Sequence, residues 1–241
     1  MVKPLFLFQP VPVRPTVQLL DEQEYNKMRK LLRFFFHHFY HSFAWTYDFV
    51  AALVSVGRWN KWVFAALPHI RGPRVLEIGF GPGHLQVELH RRGFHTFGLD
   101  ESRQMIRHAQ ANLARKRLPV ALSRGYAQFL PFADDSLDSV VATFPSEYIT
   151  DSFTLAEIRR VLKPSGRLVV IPMAWIGGIS LPDKAAKWLF RVTRQSEELT
   201  DTLEGRIRLV FTEAGYRVEI IRTEIRLSTV LIIVAEAIKG M

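Results

Sequence analysis

The chain has no cysteine among its 241 residues. That excludes disulfides, thiol nucleophiles and thiolate metal sites, and it fits a reducing cytosol. Long apolar runs are also missing. Stretches such as Val230–Ala235 have strand length, far short of the ~20 residues that span a bilayer. The first ten residues hold too short an apolar run for a signal peptide and lead into prolines. Acidic residues are scarce relative to basic ones, 23 against 32, which leaves a net charge of +9. Residues 1–72 carry nine basic and four acidic residues, so the excess is densest there. Such a balance favours anionic partners without choosing among lipid, nucleic acid and acidic substrate. There is no internal repeat, no low-complexity tract and no Gly-Lys-Ser/Thr phosphate loop. Composition is otherwise that of a folded chain, 48% hydrophobic and 23% charged.

What is present is concentrated in Val75-Leu76-Glu77-Ile78-Gly79-Phe80-Gly81-Pro82-Gly83, followed by Gly98-Leu99-Asp100. This reads as a buried strand, a glycine turn, a helix start, a second strand and a carboxylate at that strand's end. Glycines without Cβ admit positive φ and let a ligand approach the backbone. Amides at a helix start can hold an anionic group. Two acceptor oxygens on Asp100 suit the paired hydroxyls of a ribose. The spacing Gly79-x-Gly81-x-Gly83 differs from the G-x-G-x-x-G of dinucleotide sites. The unit predicts nucleoside binding.

Around it the chain alternates. Strands are expected near 74–79, 95–100, 120–124, 138–144 and 167–172, with helices near 84–93, 102–117 and 151–163. This pattern predicts a parallel sheet covered on both faces. A segment from 174 to 200 interrupts it, a helix follows near 203–214, and runs 217–226 and 228–237 predict an antiparallel pair on one edge. Upstream, residues 1–20 are proline-dotted. Asp21-x-x-Glu24 opens a basic amphipathic helix over residues 22–43, with Met28, Leu31, Leu32, Phe35, Phe36, Phe39 and Phe43 on one stripe. Further helices are expected near 45–56 and 59–67. Two domains follow: residues 1–72 as an arm and helical lid, and residues 73–241 as the ligand-binding domain. His37, His38 and His41, with no placed carboxylate partner, predict no metal site.

The glycine motif, Asp100-x-Ser102-x-x-Met105, Leu130-Pro131-Phe132-Ala133-Asp134-Asp135-Ser136-Leu137-Asp138 and Glu157-Ile158-Arg159-Arg160-Val161-Leu162-Lys163-Pro164-Ser165-Gly166 together resemble class I S-adenosylmethionine-dependent methyltransferases. The likeness is to the small-molecule branch that holds quinone C-methyltransferases and bacterial phospholipid N-methyltransferases. It implies an α/β Rossmann-like fold with a mostly parallel seven-stranded sheet, and S-adenosylmethionine as cofactor. It implies cofactor contacts from Tyr47, Glu77, Gly79, Phe80, Gly81, Gly83, Asp100, Glu101, Met105, Gly125, Tyr126, Ala127 and Phe144. One departure is Tyr126, where the family usually has an acid that reads the adenine amino group.

The expected activity is methyl transfer to a small or lipophilic acceptor, a phospholipid amine, a quinone or similar, in the cytoplasm. The basic helix over residues 22–43 suggests peripheral contact with an anionic membrane. Candidate catalytic groups are Tyr47, His41, Glu147 and Tyr148. Phe144-Pro145-Ser146-Glu147-Tyr148 lacks the Asn/Asp-Pro-Pro-Tyr/Phe signature, which argues against a nucleic-acid target. Two alternatives stay open: an RNA methyltransferase, and a non-catalytic protein that binds the cofactor.

Overall fold

The computed structural model describes residues 59–176, 195–226 and 228–239, all within the compact unit Phe43–Met241. The helices expected over 22–43 and 45–56, and the stretch 177–194, lie outside the described residues. In chain order the elements are α1 (Trp59–Val63), a 3-10 turn (Phe64–His69), β1 (Arg74–Ile78), α2 (His84–Arg91), β2 (His95–Asp100), α3 (Arg103–Arg115), β3 (Leu122–Arg124), β4 (Leu137–Thr143), α4 (Ser152–Val161), β5 (Leu162–Ile176), α5 (Gln195–Glu213), β6 (Tyr216–Ile225) and β7 (Ser228–Ala237).

One seven-stranded sheet has the order β3-β2-β1-β4-β5-β7-β6. The first five strands are parallel, and β7 runs antiparallel to both β5 and β6. Chain direction reverses its lateral progress at β1, which pairs with β2 on one side and β4 on the other. A crevice therefore opens beyond the carboxyl end of β1, where ligands bind in open α/β sheets. The strands are apolar on both faces, as buried parallel strands must be. One face packs Leu76, Val140 and Val170 against Leu155 and Ile158 of α4 and Phe211 of α5. The other packs Val75, Val141 and Val169 against Leu85 and Leu89 of α2 and against Trp62, Ala66 and Leu67.

Helix starts follow local chemistry. Ser102 is extended and accepts the Met105 N–H, which caps α3. Asp151 does the same for α4 through Thr154. Gly83 precedes α2 in the left-handed region, and a Cβ there would lie 2.9 Å from Ala109 Cβ.

Several boundaries differ from expectation. The helix expected over 59–67 is α-helical only to Val63 and continues as a 3-10 turn to His69. Pro68 lies inside that turn, and its ring and missing N–H forbid a continued α ladder. The strand expected at 167–172 runs from Leu162 to Ile176, because β4 and β7 both extend its pairing. The helix expected at 203–214 begins at Gln195; the polar run before residue 203 offers too few apolar positions to reveal a period.

Gly72 adopts φ +65 two residues before β1, and a Cβ on it would stand 2.3 Å from Asp138 Cβ. Gly72→Ala should destabilise the fold by about 1–3 kcal/mol through backbone strain alone, with more from the clash. Urea denaturation of the variant beside wild type measures this, and unchanged stability would contradict it.

Candidate functional site

The sequence of the β1 exit explains its shape. Gly79, Gly81 and Gly83 all take positive φ, so the turn reverses without a Cβ in the way. Gly79 N–H donates to Leu99 O at 2.8 Å and Gly83 N–H to Phe80 O at 2.9 Å, which fastens the turn to β2 and to itself. A Cβ on Gly81 would meet nothing within 4 Å, so the turn opens onto free space there. A Cβ on Gly79 would come within 2.9 Å of the Tyr148 hydroxyl. Asn112 braces the turn from α3 by donating to Pro82 O at 3.3 Å.

Asp100 ends β2 beside this turn. Its Oδ2 accepts the Gly81 N–H at 3.1 Å and its Oδ1 accepts the Ser102 N–H at 2.9 Å. Each oxygen keeps a lone pair for a further donor. Burial pushes its carboxyl above the usual range, and the two amide bonds oppose that shift. A vicinal diol offers two donors side by side, so the free lone pairs of Asp100 fit a ribose. The open space over Gly81 fits the chain attached to it.

Glu77 is only 1% exposed. Its Oε2 accepts from Gln86 Nε2 at 2.9 Å, and the same amide donates to Phe97 O at 3.2 Å. Burial pushes its pKa up to about 8, opposed by the Gln86 bond and raised further by the Asp100 charge. The side chain thus ties β1 to α2 and β2. Tyr148 sits over the turn, donating to Ile78 O at 3.4 Å. Burial and the charges of Asp100, Glu77 and Glu101 hold its phenol protonated well above the ordinary range. At neutral pH it is a hydrogen-bond donor and not a base.

The remaining sequence candidates spread along the carboxyl edge. Phe80, Met105 and Ala127 are buried. Gly125 N–H donates to Asp100 O at 3.2 Å. The Glu101 carbonyl accepts from Arg124 Nε at 2.9 Å. Tyr126 is 57% exposed at the rim. Gln128 Nε2 donates to Asp151 Oδ2 at 3.2 Å, which ties the loop after β3 to the start of α4. Phe144 holds φ +50, a costly conformation for an aromatic residue, and stacks on Trp59 with ring centres 4.5 Å apart. Glu147 is exposed. Tyr47 and His41 lie outside the described residues.

Sequence reasoning missed Gln86, Asn112 and Trp59. Nothing in the pattern marked them: Asn112 and Trp59 act on Pro82 and Phe144, far along the chain, and Gln86, nearer its partners, reads as an ordinary helix position. Large apolar residues are exposed on the segments at or just beyond the carboxyl ends of β3, β4 and β5: Phe129 at 79%, Phe153 at 73%, and Tyr126, Met173 and Trp175. Among the described residues no group of three or more His, Asp or Glu could hold a metal ion, and no helix is long and apolar enough to cross a membrane.

Residues 75–166 match a family model described as a methyltransferase domain. The demethylmenaquinone methyltransferase of Renibacterium salmoninarum is 34% identical over 128 residues, 52% of this chain and 52% of that protein. The ubiquinone/menaquinone biosynthesis C-methyltransferase UbiE of Paraburkholderia phymatum is 33% identical over 161 residues, 64% of this chain and 63% of that protein. The chain spans about half the length of the first curated relatives it matches. A SAM-dependent methyltransferase structure from Aquifex aeolicus superimposes with a TM-score of 0.52 at 17% identity, over 74% of this chain and 89% of that one. At that identity the likeness is one of fold.

The Glu77 pKa carries a stability prediction. The carboxyl binds its proton more tightly folded, near 8, than unfolded, near the ordinary 4.5. Its contribution is therefore complete below about pH 4.5 and is lost as pH rises through about 8. Wild type should lose a few kcal/mol between about pH 5 and 8.5, and Glu77→Gln should flatten that slope. Urea midpoints across this range measure it; parallel profiles for the two proteins would contradict the assignment.

Proposed function

From the premise that the chain carries a class I methyltransferase domain, we propose that it transfers a methyl group from S-adenosylmethionine to a small or lipophilic acceptor. The observation that carries this is the join between the Asp100 carboxylate and the Gly81 amide beside open space. When bound, the cofactor supplies a methyl group on a sulfonium, already reactive toward nucleophiles. The chain's task is then to bind, orient and exclude water. Asp100 takes the ribose hydroxyls. The Gly79–Gly83 turn leaves room for the methionine portion, with Glu77 buried behind it. Met105, Ala127 and Gly125 line the adenine side, with Tyr126 above them. Tyr148 donates from over the turn, and Phe144 walls the exit of β4.

The acceptor reading rests on two supports. The relatives at 33–34% identity are named for quinone methylation. The exposed aromatic side chains at the mouth suit an apolar molecule such as a quinone or a lipid amine. Of residues 1–72, the part before Trp59 enters this proposal as a substrate-side extension, and residues 22–43 as a peripheral membrane contact; Trp62, Ala66 and Leu67 pack into the sheet instead. A cytoplasmic setting fits both.

Asp100→Ala should weaken S-adenosylhomocysteine binding by about 1–3 kcal/mol, because hydroxyls lose their acceptor. Titration calorimetry measures this, and equal affinity would refute the ribose role. Transfer is tested with methyl-labelled S-adenosylmethionine against a demethylated menaquinol, phosphatidylethanolamine and transfer RNA. Label is expected in the quinol or the lipid. Label in RNA alone would overturn the acceptor class, and label in none of them despite cofactor binding would favour a non-catalytic binder.

A further inference from the structure

The floor of the sheet, at the opposite end from the glycine turn, carries a second constellation. There β5, β7 and β6 lie side by side, and their registers pair Arg167 with Glu236 and Glu236 with Arg217. Directly paired residues on neighbouring strands project to the same face. Val169 and Val234, two positions along from Arg167 and Glu236, place this as the face packed under the 3-10 turn. The chain leaving that turn adds Arg71. Its backbone is fixed by Ser139, whose Oγ accepts the Arg71 N–H at 2.9 Å and donates to Arg71 O at 2.8 Å.

Three guanidiniums thus surround one carboxylate. Arg71, Arg167 and Arg217 stand 3.9, 3.8 and 3.7 Å from Glu236. All three pairs are looser than Arg160–Asp134 at 2.6 Å or Lys163–Asp138 at 2.7 Å. The Arg167 side chain is only 18% exposed, yet its Nε is buried with no hydrogen-bond acceptor among the described residues. A buried guanidinium N–H without a partner is a cost that proteins normally avoid. Glu219 and His69 are the other titratable groups facing Arg167. Burial holds His69 below the ordinary range, so it adds little charge at neutral pH. Arg74 and Lys163 also stand on this floor, but both are engaged by Asp138. Positive charge and unused donors are therefore in excess, and two of the three arginines are open to solvent.

We propose that Arg71, Arg167 and Arg217 form a binding site for a phosphate-type oxyanion, separate from the cofactor cleft. Guanidinium forks match the spacing of phosphate oxygens, and a tetrahedral anion offers enough acceptors for all three side chains. Glu236 is the internal competitor, holding the arginines together while leaving most of their donors unused. The phosphate can be free in solution or part of a lipid headgroup. The site does not depend on the methyl-transfer reading, since it uses none of the same residues.

The test is thermal unfolding of the full chain in inorganic phosphate, against sodium chloride at matched ionic strength. At saturation the wild-type midpoint should rise by about 2–4 °C beyond the chloride control. The double variant Arg71→Ala/Arg217→Ala alters two exposed side chains and should fold, and it should lose the rise. Glu236→Gln should bind phosphate more tightly, saturating at lower concentration. In parallel, the full chain is sedimented with phosphatidylcholine vesicles with and without phosphatidic acid. Retention by phosphatidic acid that the double variant loses assigns the headgroup as the source. A phosphate-specific rise without retention assigns the free ion. An equal rise in chloride, a rise kept by the double variant, or weaker phosphate binding by Glu236→Gln would overturn the proposal.

Discussion

The bonds that Asp100 makes to Gly81 and Ser102 are the constraint on which the ligand-binding end depends. One carboxylate joins the turn leaving β1, the end of β2 and the cap of α3. Ser102 then closes the first turn of α3 through Met105. The carboxylate can sit there because the alternating glycines bring backbone amides toward it and leave no Cβ between. It is kept nearly out of water, so its field acts at close range on whatever binds. The same geometry accounts for Tyr148, whose phenol lies over Gly79 and feels three carboxylates. A group so placed is a donor, and its burial helps to keep the turn dry.

Charge is sorted along the strands. The carboxyl end carries Asp100, Glu101, Glu147 and Asp151, with Arg124 bonded to the Glu101 carbonyl and Glu77 held mostly protonated at neutral pH. The opposite end gathers Arg71, Arg74, Arg91, Arg92, Lys163, Arg167 and Arg217, set against Glu88, Asp138, Glu219 and Glu236. Part of this sorting serves the helices, since Arg91 and Arg92 complement the negative end of α2. Arg71, Arg167 and Arg217 are not at helix ends and need another reason. An acidic cleft suits a sulfonium cofactor, and a basic floor suits an anion.

Most of the sheet was legible because its signals are local. Buried parallel strands read as apolar runs, and glycines punctuate them at fixed places. The residues that meet at the β1 turn were legible as a motif: Glu77, the three glycines and Asp100 lie within 24 positions. What escaped was anything set by packing between elements. Gln86 looks like an ordinary helix residue until its amide is seen between Glu77 and Phe97. The full length of β5 depends on β7, about 60 residues away in sequence. The arginine cluster is assembled from positions 71, 167 and 217, and only strand register brings them together. Pro68, by contrast, is a local signal: its place in the sequence already limits the α-helix that starts at Trp59.

The account stands on the β1 turn and Asp100 forming a nucleoside site, and the most direct measurement is thermal unfolding of the full chain with and without saturating S-adenosylhomocysteine. A ligand at 100-fold over its Kd adds about 2.7 kcal/mol to the folded state. The account predicts a midpoint rise of several degrees that adenine alone does not reproduce, because Asp100 grips the ribose. No rise, or an equal rise with adenine, would contradict it.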